Sequence, residues 1–397
     1  MIFNSFQNLS LSMLGFGTMR LPLLPDGEID REEVRRMTAL AMEKGVNYFD
    51  TAYPYHGGKS ELVISEILRD YPRESYFLAD KYPGHQIVEH YDPEGIFEDQ
   101  LRKCGVDYFD FYLLHNVYEN DLDVYKDQKW GIIDYFRKQK ENGRIRHLGF
   151  SSHARPETLR AFLEYCKAIG FTPEFCQIQL NYVDWTLQDA EEKVRILNEY
   201  NIPVWVMEPA KGGRLANLKE KEKAFLEEKL PGTDPVSLSF RFLMDIPGVT
   251  VVLSGMSDFA QMAGNLETFD TLSPLSEKER DALLTLAESM KNALPCTACR
   301  YCCDGCPMGL DIPMLIHAYN DMKFGGSTAP GMQIDALPEE KRPSACINCG
   351  RCEAICPQGI RIPAAMAELE ALYDKSVKWA DVCKEREEQA KRLKGEK

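Results

Sequence analysis

The stretch VNYFDTAYPYHGGKSELVISEILRDYPRESYFLADK (46–81) holds the fold in miniature. VNYFD (46–50) and YFLADK (76–81) at its ends are short and mainly apolar, as strands buried on both faces must be. Between them Val63, Ile64, Ile67 and Leu68 recur at helical spacing. Strand, helix and strand in that order make a parallel pair covered by its crossover helix. The alternation continues outward on both sides. MLGFGTM (13–19) precedes this unit, while FDFYLLH (109–115), RHLGFSS (146–152), EFCQIQL (174–180), PVWVME (203–208) and VTVVLSG (249–255) follow it. Helical spacing such as Val194, Ile196 and Leu197 lies between the runs. Eight units over this length predict an α/β fold of the (β/α)8, or TIM-barrel, type. A doubly wound sheet competes, but the first strand–helix turn lacks the phosphate-cradling G-x-G-x-x-G of that fold.

The barrel is expected over residues 1–275, a linking helix over 276–295, and, from the four-cysteine runs that begin at Cys296 and Cys346 and match the bacterial two-cluster ferredoxin spacing, a small, mainly helical ferredoxin-like region over 296–397. Ser276 and Glu279 form a capping box, and Leu283, Leu286, Ala287 and Met290 an apolar face. FGGSTAPG (324–331) reads as a loop, and CKEREEQAKRLKGEK (383–397) as a solvated, fraying helix. A length of 397 residues suits two domains, and 44% hydrophobic with 27% charged residues is a globular, soluble composition. The net charge of −15 argues against nucleic acid or anionic lipid as a partner. The start MIFNSFQNLSLSMLGFG has no basic n-region, and no apolar run reaches membrane length, so a cytoplasmic location is expected.

Nine of the 13 cysteines crowd between Cys296 and Cys356. Cys296-x2-Cys299-x2-Cys302-x3-Cys306-Pro and Cys346-x2-Cys349-x2-Cys352-x3-Cys356-Pro repeat the bacterial two-cluster ferredoxin run, and CPMGLDIP (306–313) matches CPQGIRIP (356–363) almost position for position. In that run the fourth cysteine ligates the other cluster. Cys296, Cys299, Cys302 and Cys356 are therefore expected to hold one 4Fe–4S cluster, and Cys346, Cys349, Cys352 and Cys306 a second. Zinc is the competing ligand for C-x2-C pairs, but four cysteines and a proline, twice, disfavour it. Cys303 reads as a bystander beside Cys302, and Cys104, Cys166, Cys176 and Cys383 as ordinary thiols.

The segment Gly45-Val-Asn-Tyr-Phe-Asp50-Thr-Ala-Tyr-Pro-Tyr55, with Lys81 ending the third run and His115 the fourth, resembles the aldo-keto reductase family. The resemblance covers about two-thirds of the chain and implies a catalytic set of Asp50, Tyr55, Lys81 and His115 at C-terminal strand ends. In that set Tyr55 delivers a proton to the developing alkoxide, with its pKa lowered by Lys81. Asp50 holds Lys81 charged, and His115 orients the carbonyl oxygen. The resemblance also implies nicotinamide contacts. Gly17 and Thr18 fall near the ribose, Ser151, Ser152 and Gln179 near the carboxamide, and Asn265 near the adenine. Met207 and Glu208 stand where many members have a tyrosine followed by serine. Gly255, Ser257 and Gln261 occupy the stretch where NADPH-preferring members carry a cation, and Asp258 adds negative charge there. NADH is thus expected to suit the site at least as well as NADPH, with Lys211 and Arg214 the nearest alternative cations. The segment from Tyr118 to Trp130 is expected to line the substrate pocket.

Hydride carries two electrons at once, whereas a 4Fe–4S cluster passes one. A flavin would convert between them; no flavin motif is present, though the seventh and eighth strand ends of a barrel can take a flavin phosphate. The expected function is an oxidoreductase that reduces or oxidises a small carbonyl or alcohol with a nicotinamide cofactor. Its clusters would relay electrons to or from a ferredoxin or flavoprotein partner. The alternative is an electron-transfer or redox-sensing subunit whose barrel binds nicotinamide or flavin with little turnover.

Overall fold

The computed structural model describes residues 1–394 apart from 87, 120, 292, 293, 295, 297–299, 326, 327 and 357. Eight parallel strands close into a barrel. They are β1 (Leu14–Gly17), β2 (Tyr48–Asp50), β3 (Phe77–Tyr82), β4 (Phe109–Leu114), β5 (Ile145–Ser152), β6 (Cys176–Gln179), β7 (Val204–Met207) and β8 (Val249–Ser254). Each falls on one of the apolar runs, and β8 returns to pair with β1, so the expected barrel is present.

Alternation along the strands separates two cores. Tyr48, Ala79, Phe111, Leu113, Phe175, Trp205, Val251 and Leu253 fill the interior, while residues such as Phe49, Leu78, Tyr112, Ile178 and Val252 pack against the outer helices. Gly149 is obligatory here, because a Cβ would stand 2.5 Å from the Phe175 carbonyl oxygen. An N-terminal hairpin, Phe3–Phe6 with Leu9–Ser12, covers the barrel floor. Its Phe6 meets Trp205 edge-on with ring centres 5.1 Å apart. The C-terminal strand ends face the opposite way.

The linking helix spans Glu277–Lys291. Its capping bonds are reciprocal: Ser276 N–H donates to Glu279 at 2.8 Å, and Glu279 N–H to Ser276 Oγ at 3.3 Å. Beyond it the sequence repeat becomes a structural one. Gly309 and Gly359 make matching left-handed turns, with φ of 59° and 63°, and the helices Ile312–Phe324 and Ile362–Lys375 follow with proline in the first turn of each. Leu310, Ile312, Leu315, Ile360, Ile362 and Leu369 bury a small second core between them.

Two expectations for this region are corrected. A helix, Ala329–Asp335, begins inside the predicted loop, because Pro330 lies in its first turn, where a missing N–H costs nothing. The charged C-terminus is also more than a solvated helix. In Trp379–Lys394 the side chains of Trp379 and Cys383 are buried in a cluster with Tyr118, Ala154 and Met332. The helix thereby docks on the C-terminal end of the barrel.

A buried ion network fixes the tail further. Lys211 Nζ lies 2.7 Å from Asp184 of the barrel and 3.3 Å from Asp321 on the helix Ile312–Phe324, and Gln188 donates to Asp321 at 2.5 Å. No helix among the described residues is long and apolar enough to cross a membrane.

Candidate active site and thiol-lined cavities

The C-terminal strand ends surround a cavity of about 550 Å3. β2 ends on Asp50, Lys81 sits one residue before the end of β3, and His115 follows β4 directly. Lys81 Nζ donates to Asp50 Oδ1 at 2.5 Å and to the Thr51 carbonyl at 2.6 Å. It also lies 5.1 Å from the centre of the Tyr55 ring. Tyr55 and His115 meet edge-on with ring centres 6.0 Å apart. Tyr55, His115 and Asp50 line the cavity, and Lys81 is fully buried behind them. The four residues stand together.

Tyr55 projects from the turn Tyr55–Gly58, in which His56 and Gly57 have φ of 51° and 64°. A Cβ on Gly57 would lie 2.2 Å from Gln389 Oε1, so glycine both turns the chain and admits the C-terminal helix.

Burial pushes the Tyr55 hydroxyl above its ordinary 10, and Lys81 offsets this only in part. The expected net lowering is absent because desolvation of a phenolate here outweighs the nearby ammonium. Tyr55 is held protonated, as a proton donor must be. Burial disfavours the Lys81 ammonium, but Asp50, with help from Tyr55, more than restores it. Burial also takes His115 well below its usual range, helped by His85, whose ring centre is 4.3 Å away. His115 is a neutral imidazole whose Nδ1 is buried without a partner.

The expected cofactor positions divide into two groups. Gly17, Ser151, Met207, Gly255, Ser257, Gln261 and Asn265 line the cavity. Thr18, Ser152 and Gln179 stand behind its wall. Thr18 Oγ1 donates to the Asp50 carbonyl at 2.9 Å, Ser152 Oγ to the Val117 carbonyl at 2.7 Å, and Gln179 Nε2 to Asp184 at 2.8 Å. Gln177, two residues before Gln179 and on the same face, lines the cavity, and its Oε1 is buried without a partner. Asp258 is committed to capping the helix Phe259–Thr268, accepting from Gln261 N–H at 2.8 Å.

Neither Lys211 nor Arg214 reaches the cavity: the first is paired with Asp184 and Asp321, the second with Glu222. Arg20, just past β1, is the cation near Gly255, where its side chain would lie 3.2 Å from an added Cβ. No described residue from Tyr118 to Trp130 lines the cavity. Its far wall comes instead from Thr328, Met332, Trp379 and Arg386 of the tail. Those tail residues, with His85, Asn116 and His153, escaped the sequence reading.

The cysteines surround two small cavities. Cys306, Cys346, Cys349 and Cys352 line one, and Cys296, Cys302 and Cys356 the other. Cys299 lies outside the described residues. Each run thus sends its fourth cysteine to the other run's cavity, and Cys303 lines neither. Among the described residues no three potential ligands converge closely enough to share one metal ion. A four-iron cube takes each thiolate at a separate corner, so thiols spread around a void fit it, whereas zinc draws four ligands onto one point. Cys104, Cys166, Cys176 and Cys383 are buried.

Comparison with known proteins covers the same two regions. The aldo/keto reductase family profile matches residues 13–288, and that of the 4Fe-4S dicluster domain matches 295–360. A probable aldo-keto reductase 1 of Glycine max is 28% identical over 208 residues, 50% of this chain and 56% of that protein. The NADH-specific methylglyoxal reductase of Escherichia coli (strain K12) is 24% identical over 227 residues, 52% of this chain and 66% of its own length. The chain thus spans less than two-thirds of either relative. The solved holo form of aldo-keto reductase AKR11C1 from Bacillus halodurans is similar with a TM-score of 0.59 at 26% identity, covering 72% of this chain and 95% of that one.

Glu208 offers a pH test of the cavity wall. It has φ of 54°, its Oε2 is buried without a partner, and burial, aided by Asp184, raises its carboxyl from 4.5 to about 7. The folded chain therefore keeps a proton that the unfolded chain releases from about 4.5 upward, and stability falls as pH climbs from there to about 7. Glu208→Gln is expected to be more stable than the parent by about 2 kcal/mol at pH 8, allowing for solvent screening, with the gap closing toward pH 4.5. Anaerobic urea denaturation at the two pH values measures it.

Proposed function

The chain belongs to the aldo/keto reductase family and carries a 4Fe-4S dicluster domain, and from that premise we propose an oxidoreductase that interconverts a small carbonyl compound and its alcohol with a nicotinamide cofactor. The observation that carries this reading is the gathering of Asp50, Tyr55 and His115 on the cavity wall with Lys81 buried behind them, and with Tyr55 protonated. When bound, the nicotinamide supplies or accepts the hydride. Tyr55 gives its hydroxyl proton to the developing alkoxide, and Lys81, kept charged by Asp50, stabilises the phenolate left behind. Neutral His115 orients the carbonyl oxygen by donating a ring N–H. Oxidation of the alcohol uses the same groups in reverse.

For the cofactor, Gly17, Ser151, Gln177 and Met207 form the inner end of the site, while Gly255, Ser257, Gln261 and Asn265 form the outer end. Thr18, Ser152 and Gln179 support this wall from behind. NADH fits at least as well as NADPH, since 255–265 holds no lysine or arginine and Arg20 alone brings a cation to that side of the lining. One similar protein is named for NADH specificity.

Cys346, Cys349, Cys352 and Cys306 hold one cluster in this reading, and Cys296, Cys299, Cys302 and Cys356 the other. Their role is to relay electrons to or from a ferredoxin or flavoprotein partner. Supporting a link to the barrel, the helix Ile312–Phe324 lines a thiol cavity with Ile312 and Ile316 and reaches the buried Lys211 with Asp321. Its axis is about 18 Å long from Ile312 to Phe324.

Tyr55→Phe is expected to lower carbonyl turnover about 100-fold or more while NADH affinity changes little, because only the proton donor is lost. Steady-state rates with fluorescence titration of NADH measure both. Unchanged turnover would mean that Tyr55 is not the proton donor, whereas a parent chain with little carbonyl turnover would favour the electron-transfer or redox-sensing alternative.

Anaerobically purified protein should carry about eight irons per chain, from two four-iron clusters, with brown absorbance that dithionite bleaches. Stoichiometric zinc without iron would remove the cluster assignment.

A further inference from the structure

We infer that the substrate of this barrel is an oxo acid, a carbonyl compound bearing a carboxylate, and that Arg386 on the C-terminal helix binds that carboxylate. The inference rests on the carbonyl-oxidoreductase reading above and names its substrate class.

The position of Arg386 is determined by what surrounds it. Trp379 stacks on His85 with ring centres 5.3 Å apart and 28° between planes, and its indole N–H donates to the His85 carbonyl at 3.2 Å. Cys383, one turn on, is buried, and Gln389 lies against Gly57 beside Tyr55. Positions 379, 383 and 386 share one helical face. That face turns Arg386 into the cavity that Tyr55, His85 and His115 also line.

Arg386 is a cation without a counter-ion. Its guanidinium lies 5.1 Å from the centre of the Trp379 ring, and among the described residues no carboxylate pairs with it. Among the other cations nearby, Arg20 lies in the lining beside Gly255, and three more are already matched. Lys81 pairs with Asp50, Lys211 with Asp184 and Asp321, and Arg214 with Glu222. On the same helix Glu387 and Glu388 turn to Lys391 and Arg392. Burial works against the Arg386 charge, and the groups that oppose this effect are Cys383 and Tyr55, not an acid.

A guanidinium stays charged in a protein, so half-burying it unpaired is costly unless a ligand supplies the anion. A planar carboxylate matches its fork with two parallel bonds. Arg386 approaches from the tail, whereas the proposed nicotinamide positions lie along the ends of β1 and of β5 to β8. The anion it meets therefore belongs to the second reactant.

The test compares matched pairs, 2-oxo and 4-oxo acids against their neutral methyl esters, reduced by the iron-loaded full chain with NADH. The parent should favour at least one acid over its ester by tenfold or more in kcat/KM. Arg386→Gln should cut that ratio at least tenfold, chiefly through KM of the acid, and Arg386→Lys should restore part of it. Lys384→Gln, exposed on the same helix, should keep the parental ratio. Esters reduced as well as acids by the parent, or a ratio unmoved in Arg386→Gln, would overturn the inference and leave the carbonyl-oxidoreductase reading standing. A parent that reduces neither form of any pair would remove that reading and this inference with it.

Discussion

The ammonium of Lys211 is enclosed between a carboxylate of the barrel, Asp184, and a carboxylate of the cysteine-bearing tail, Asp321. Burial works against its charge, but the two carboxylates hold its pKa above the ordinary value. Removing one partner of such a buried set leaves an unmatched charge and costs about 3–5 kcal/mol, so it acts as a latch between the two parts of the chain. Much of the site depends on the latch. It fixes the helix Ile312–Phe324, and the chain that continues from that helix supplies Thr328, Met332, Trp379 and Arg386 to the cavity. The barrel alone would leave that wall open.

The two chemistries of the chain meet across this seam. On the barrel side, desolvation keeps Tyr55 protonated and His115 neutral while Asp50 keeps Lys81 charged, three protonation states suited to one proton transfer. On the tail side, the two thiol sets interlock by exchanging their fourth members. Because each run contributes to both cavities, a cluster bound in either would cross-link the two halves of the repeat. It would thereby stiffen the segment that carries Trp379 and Arg386. Redox relay and closure of the pocket are compatible uses of the same architecture.

The barrel was legible because parallel strands are buried on both faces, which leaves unbroken apolar runs such as FDFYLLH (109–115) for each strand. Asp50, Lys81 and His115 were legible because strand ends locate them without tertiary information. The errors came where facing decides. Ser151 lines the cavity, but its neighbour Ser152 points the other way, as the two-residue period of a strand requires. Gln177 and Gln179 share a face, and only the contacts of Gln179 with His153 and Asp184 show that it is occupied elsewhere. The tail was least legible. Trp379, Cys383 and Arg386 do form a helical stripe in the sequence, but the surrounding charges suggest solvent, and nothing local names the barrel mouth as its partner.

The central claim is that carbonyl chemistry in this chain is direct hydride transfer inside the barrel, with the clusters outside that step. Reduction with NADH deuterated at C4 on the transferable face, followed by mass spectrometry of the alcohol, tests it most directly. The account predicts deuterium on the carbinol carbon and a slower rate than with unlabelled NADH. An alcohol carrying hydrogen from solvent, formed at the same rate with either cofactor, would mean that electrons arrive singly and would contradict it.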